Sequence, residues 1–478
     1  MSLRTPVFAL ACALSAAVSG SAQTVTPIQH VVVIFDENIS FDHYFGTYPN
    51  ALNPVGEPAF KAAAGTPTVN GLTPALLAAN PNSTAPFRLD RNQETTCDND
   101  NHYADEQKAY HAGLLDKFPE NTAATTAGCT PALSMAYYDG NTVTALWNYA
   151  QHFAMADNFF DTEFGTTVMG HLNLISGQTH TASVQTISGK VANGTVIANV
   201  EAGWDDCVTT ANGTPVLMTG QNIGDLMNAK GLTWGWFYAD FPQSTGKTPI
   251  TTCPSSYNSH YDPFQYYKST SNQHHLPPTS VAAVGTAGDQ ANHNYALTDF
   301  WNAANAGNLP QVVFLKATKA QTGHPSDSTP LAEQQFLVET INALQKLPEW
   351  SSMAILVTYD DSDGWYDHVM PPIVNQSSDP GQDLACGTAA AGAYQDRCGY
   401  GTRLPFLVIS PYAKQNYVSH QLMDTTSIMR FIEDNWNLGR VGDQSFDALA
   451  GSILDVFDFT TRHTKPVLLN ETTGAVVK

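Results

Sequence analysis

Two short runs of oxygen-bearing side chains stand directly after apolar stretches of this sequence. Ile28–Phe35 runs into Asp36-Glu37-Asn38, and Met353–Tyr359 runs into Asp360-Asp361. Carboxylates and an amide brought to one edge repel unless something positive sits among them, and a hard divalent cation such as Mg²⁺, Ca²⁺ or Mn²⁺ suits such donors. Either pair alone reads as turn residues or a helix cap; two in one chain put a metal site beside that ordinary reading. A hydroxyl candidate lies in Phe164-Gly165-Thr166-Thr167-Val168-Met169-Gly170-His171, ahead of the mostly apolar Leu172–Ile175. A helix starting there offers amide hydrogens and a dipole to an anionic phosphoryl group. Gly-Thr-Thr is equally a plain capped helix start, and its hydroxyl needs a metal nearby to yield an alkoxide near neutral pH.

Fifteen histidines are many for this composition. His102 follows Cys97-Asp98-Asn99-Asp100-Asn101, His274-His275 precede Leu276-Pro277-Pro278, His324 sits in Thr322-Gly323-His324-Pro325, and His368 follows Asp367. Each alone reads as a surface or structural residue; together they offer positive hydrogen-bond donors. The Asp98–Asp100 run lacks the glycine and distal glutamate of a calcium loop.

These residues need a frame. Ile28–Phe35, Leu232–Tyr238, Gln311–Leu315, Met353–Tyr359 and Leu404–Ile409 are near-continuous apolar runs, as expected of strands covered on both faces. Helical patterns at Pro330–Leu347 and Ser427–Leu438 lie between and after them, with Asp424 and Thr425 as capping candidates for the second. Strand–helix alternation predicts an α/β fold of three layers around a mostly parallel sheet. Ligands of such sheets sit beyond the carboxyl ends of the strands, where both acidic runs fall. Residues from about Asn50 to Asn101 and from Thr251 to Asn294 read as long loops over the sheet.

The 478 residues carry 21 Lys+Arg against 43 Asp+Glu, a formal charge of −22. That field repels nucleic acid, and no basic stripe offsets it. A phosphate-handling site here needs local positive charge from a metal, Lys or His. Arg4, the apolar Pro6–Val18 and the small residues Gly20-Ser21-Ala22 read as an export signal over 1–22, leaving one catalytic domain over 23–478. No run of about 18 apolar residues follows to span a bilayer. Without Cys12 six cysteines remain, and in a secreted or periplasmic setting they read as three disulfides, in sequence order Cys97–Cys129, Cys207–Cys253 and Cys386–Cys398.

The stretch Ile28-Gln29-His30-Val31-Val32-Val33-Ile34-Phe35-Asp36-Glu37-Asn38-Ile39-Ser40-Phe41-Asp42-His43-Tyr44-Phe45-Gly46 resembles the opening motif of the bacterial phosphoesterase family, which joins the Francisella-type acid phosphatase and the non-haemolytic phospholipases C. Similarity continues through Asp360-Asp361-Ser362-Asp363-Gly364-Trp365-Tyr366-Asp367-His368-Val369 and Thr426–Glu433. The resemblance implies an alkaline-phosphatase-like core with one metal held by Glu37, Asn38, Asp360 and Asp361. It puts the nucleophile, also a metal ligand, at Thr167 and active-site histidines at His102, His274, His275 and His324. The metal's identity stays open among Ca²⁺, Mg²⁺ and Mn²⁺ by ligand type, with Fe²⁺ and Zn²⁺ also compatible. Gly170-His171 stands where the phospholipase branch typically carries Asn-Arg.

The implied reaction is a double displacement through phospho-Thr167, with a histidine protonating the leaving oxygen. The His274-His275 pair, the stretch after Gly170 and a chain ending soon after Phe457-Asp458-Phe459 lean toward phosphate monoesters, the acid phosphatase type; Thr167 itself is the phospholipase residue. The alternative substrate is a phosphodiester such as phosphatidylcholine, bound through its headgroup. A reading of another class, a secreted metal-binding protein without catalysis, would keep the acids and lose Thr167 or the histidines, which are all present.

Overall fold

The computed structural model describes residues 23–209, 213–377, 386 and 394–477. The export-signal reading of 1–22 lies outside them. The apolar runs form the middle of an eight-stranded sheet made of β1 (His30–Asp36), β2 (Ala154–Ala156), β3 (Trp234–Tyr238), β4 (Asn294–Ala296), β5 (Val312–Lys316), β6 (Met353–Tyr359), β7 (Phe406–Ile409) and β8 (Tyr417–Ser419), in the order β4-β3-β5-β1-β6-β7-β2-β8. Every pairing is parallel except those of β7 with β6 and β2, so seven strands share one direction. Every residue of β3, β5 and β6 is buried. This is why their sequences run apolar without alternation. The fold is α/β, as the strand–helix alternation predicts.

The register fixes the site. Asp36, the last residue of β1, lies opposite Tyr359, the last residue of β6. Glu37-Asn38 and Asp360-Asp361 therefore leave the sheet side by side. On the other flank of β1, Ile34 lies opposite Leu315, so Lys316 closes β5 at the same level.

The helices used below are α1 (Phe41–Phe45), α2 (Tyr103–Tyr110), α3 (Thr144–His152), α4 (Thr167–Ser176), α5 (Ile223–Lys230), α6 (Leu297–Asn305), α7 (Pro330–Leu344) and α8 (Thr426–Trp436). In α7, Thr329 caps the Ala332 amide at 3.2 Å and Pro330 fills the first helical position. It stops three residues before the expected Leu347, which is extended ahead of Pro348. α8 begins with its Thr426 amide donated to Asp424 and ends at Asn437 in the left-handed region. The short strands β2, β4 and β8 were not expected; β4 closes the stretch read as a loop up to Asn294. The disulfides pair in sequence order, Cys97–Cys129, Cys207–Cys253 and Cys386–Cys398. Among the described residues no helix is long and apolar enough to cross a membrane.

Candidate active site

The loops after β1 and β6 are laced together. Asp360 donates its amide to the Asp36 carbonyl at 3.2 Å and Ile39 donates to the Asp361 carbonyl at 2.9 Å. Asn38 sits in the left-handed region at φ 65°, which a short polar side chain tolerates. Its backbone amide donates to Asp360 Oδ1 at 2.9 Å and its Nδ2 to Asp363 Oδ1 at 2.8 Å. Asp361 Oδ1 accepts from Asn101 Nδ2 at 2.9 Å and from the Asp363 amide at 2.7 Å.

After this bonding, Glu37 Oε2, Asn38 Oδ1, Asp360 Oδ2 and Asp361 Oδ2 are all buried without a hydrogen-bond partner. An unsatisfied buried polar atom costs about 1–3 kcal/mol, so four idle acceptors on these two laced loops call for a counterpart. Burial, then the neighbouring acids, push Glu37 and Asp361 well above the usual carboxylate range, against the Lys316 ammonium at Glu37. Lys316 Nζ contacts Glu37 Oε1 and donates to the Phe35 carbonyl at 2.9 Å. Three carboxylates and an amide oxygen with idle lone pairs fit a divalent cation.

α4 carries the hydroxyl to this edge. Thr166 is the extended residue before the helix and Thr167 its first helical residue, 4% exposed. Gly170 presses on the acidic loop so closely that a Cβ would lie 2.0 Å from the Asp360 carbonyl oxygen. This contact excludes any side chain on this backbone, including the Asn of the phospholipase branch. The neighbouring His171 is fully buried between Glu37 and Asp360, not facing a substrate. Glu106 on α2 accepts the Gly165 amide at 3.0 Å and contacts Ser362 Oγ, so one side chain ties the Thr167 loop to the Asp361 loop. The helix-start amides are less free than the sequence implied, since Val168 donates to Asn199 Oδ1 at 3.0 Å.

A cavity of about 320 Å³ opens beside Asn38 and Thr167, lined also by Asp98, Asn101, His102, Thr166, Lys190, Asn199 and His324 among others. Such a volume takes a small polar ligand. His102 Nδ1 lies 2.5 Å from Asp100 Oδ1, and that bond raises the imidazole pKa, favouring a protonated acid. His324 Nδ1 lies 2.7 Å from the Pro325 carbonyl.

The structure thus brings Glu37, Asn38, Asp360, Asp361 and Thr167 together, with His102 and His324 at the cavity wall. It does not bring His274 and His275 there. His275 is buried with Nε2 2.8 Å from Asp205 Oδ1 and Nδ1 3.1 Å from the Pro242 carbonyl. His274 lies at the surface against Asp206. Both serve the region stapled by Cys207–Cys253, and the disulfide denies that corner a free thiolate. His368 Nδ1 lies 2.6 Å from Asp42. Sequence reasoning missed Lys316, His171, Glu106 and Asn199; a lysine ending an apolar run beside β1 was the legible signal for the first.

The chain belongs to the Phosphoesterase family, whose pattern matches residues 28–439. By class that makes it a phosphoric ester hydrolase. It is 28% identical over 431 residues to a non-hemolytic phospholipase C of Burkholderia pseudomallei, covering 87% of this chain and 56% of that protein. It is 25% identical over 469 residues to phospholipase C A of Mycobacterium tuberculosis, covering 95% and 82%. The chain therefore spans little more than half of the first relative and most of the second. A solved structure of a protein in the alkaline phosphatase superfamily from Vibrio parahaemolyticus overlaps with TM-score 0.31 and 10% identity, covering 69% of this chain and 65% of that one.

Proposed function

We propose that the protein hydrolyses phosphoric esters in the Thr167 cavity, with one divalent metal held by Glu37, Asn38, Asp360, Asp361 and Thr167. What carries this reading is the set of four buried, unpartnered oxygens beside a helix-start hydroxyl. A metal bound there lowers the hydroxyl's pKa and offsets charge on the phosphoryl oxygens. Thr167 Oγ1 forms a bond to phosphorus as the opposite ester P–O bond breaks, and the departing oxygen takes a proton from His102 or His324. Water then attacks phosphorus and passes a proton back to that histidine, the Thr167 P–O bond breaks as Oγ1 regains from solvent the proton it gave up, and phosphate or a phosphomonoester leaves.

The named relatives shift the substrate from monoesters toward phosphodiesters of phospholipid type. A second reading rests on Lys190 and His102 at the cavity wall, whose positive charge suits the dianion of a monoester. Three disulfides fit a protein that works outside the cytoplasm, secreted or periplasmic.

Acid quench during turnover of labelled phosphatidylcholine and p-nitrophenyl phosphate, run in parallel, tests both points. Label on Thr167 is expected, with the faster substrate naming the branch. Thr167→Ala is expected to lose about four orders of magnitude or more in kcat; undiminished turnover would sink the nucleophile assignment.

A further inference from the structure

His171 sits one helical turn beyond Thr167 and is fully buried. Its Nδ1 lies 2.8 Å from the Thr167 carbonyl oxygen, which can only accept, so Nδ1 holds the ring proton and Nε2 carries a lone pair. That Nε2 has no hydrogen-bond partner. It faces Glu37 Oε1 at 3.8 Å, too long for a hydrogen bond, and Lys316 already donates to that oxygen. Asp360 Oδ2, itself unpartnered, lies 3.6 Å from the other ring nitrogen. The ring packs edge-on against Phe35 at 4.9 Å and face-on against Tyr261 at 6.0 Å, and the Thr167 carbonyl bond sets which edge faces Glu37. One donor atom each from Glu37, His171 and Asp360 fall within 4.8 Å of one another.

A buried nitrogen lone pair turned toward a carboxylate oxygen is repulsive with nothing between them. We infer that His171 Nε2 is a ligand of the metal centre, which makes the site a mixed nitrogen–oxygen one. The donor change favours borderline ions such as Fe²⁺ or Zn²⁺ over the harder Ca²⁺ and Mg²⁺, with Mn²⁺ accepting both kinds of donor. The Thr167 carbonyl bond orients the ring, so the helix that presents the nucleophile also contributes the nitrogen. The inference rests on the metal reading above.

Pulsed electron paramagnetic resonance on the full chain, labelled with ¹⁵N-histidine and loaded with Mn²⁺, reads nitrogen ligation directly. Coupling to one directly bound nitrogen is expected in the wild type and its loss in His171→Gln. Zn²⁺ affinity, measured by chelator competition, is expected to fall about tenfold or more in that variant, with Ca²⁺ affinity little changed. Stoichiometric Mn²⁺ without nitrogen coupling would overturn the inference and leave the metal centre standing. No Mn²⁺ or Zn²⁺ bound to wild type would overturn both. Should the variant fail to fold, the wild-type spectrum still decides, because among the described residues His171 is the histidine grouped with Glu37 and Asp360.

Discussion

Two groups of buried acids follow the ends of β1 and β6, and they settle their charge in different ways. Asp42 and Asp367 share Arg403, which is fully buried and donates Nη2 to Asp42 Oδ1 and to Asp367 Oδ2 at 3.0 Å each, and Nε to Asp367 Oδ2 at 3.1 Å. His368 closes the far side of Asp42 at 2.6 Å. Burial alone would raise the Asp42 carboxyl, yet His368 and Arg403 hold it below the usual range. Glu37, Asp360 and Asp361 have Lys316 on one oxygen of Glu37, and each keeps an oxygen with no partner. By distance alone Asp42, Asp367 and His368 would also pass as a metal group. The comparison teaches that clustering of acids is not the signal; lone pairs without an internal cation are.

Opposite responses to mutation would break or sharpen that contrast. Asp361→Asn keeps both acceptor bonds of Oδ1 and removes a buried charge. We expect turnover to fall about a thousandfold or more, on the order of 4 kcal/mol in the barrier, while metal-free stability in urea is unchanged or higher. Arg403→Met strands two buried carboxylates and is expected to cost about 3–5 kcal/mol of stability. Equal destabilisation of the metal-free protein by both changes would make the two clusters one kind. Next in size is the response to added metal. At a hundredfold excess over its Kd, Mn²⁺ should stabilise the chelator-treated wild type by about 2.7 kcal/mol and Asp361→Asn much less. Calorimetric melting checks this, and an equal gain in the variant would remove Asp361 from the site.

Much of this was legible before any coordinates. Runs such as Val31–Phe35 and Met353–Val357 read as strands because burial on both faces leaves no polar alternation to blur them. Their acidic endings then had one edge to occupy. β2 (Ala154–Ala156) and β8 (Tyr417–Ser419) were invisible, being three residues long and so too short for a pattern to count. The reversal of β7 was equally hidden, since direction depends on the path of the connection. His171 lies inside a mostly apolar helix, where one imidazole carries no spacing signature, and its place becomes visible when α4 meets Asp360 through Gly170. His274 and His275 were placed at the site by resemblance, and the loop that carries them turns instead toward Asp205 and Asp206.

Glu106 shows a third settlement of a buried carboxyl. Among the described residues no cation is paired with it; burial pushes its pKa up to about 8, only partly countered by the Ser362 hydroxyl and the Gly165 amide. The native state therefore keeps the proton that the unfolded chain gives up near the ordinary value of 4.5. Because the folded form binds more protons between those values, stability from this group is present at low pH, falls as pH rises from 4.5 to 8, and stays lost above. Glu106→Gln copies the neutral acid, with a carbonyl for the Gly165 amide and an N–H for Ser362. The variant should match wild type near pH 4.5 and gain on it by about 1.4 kcal/mol per pH unit at most across the window. Urea midpoints from pH 5 to 9 measure the difference. A variant that loses ground as pH rises would mean that Glu106 is ionised in the fold, and that a positive partner, as with Arg403, settles its charge.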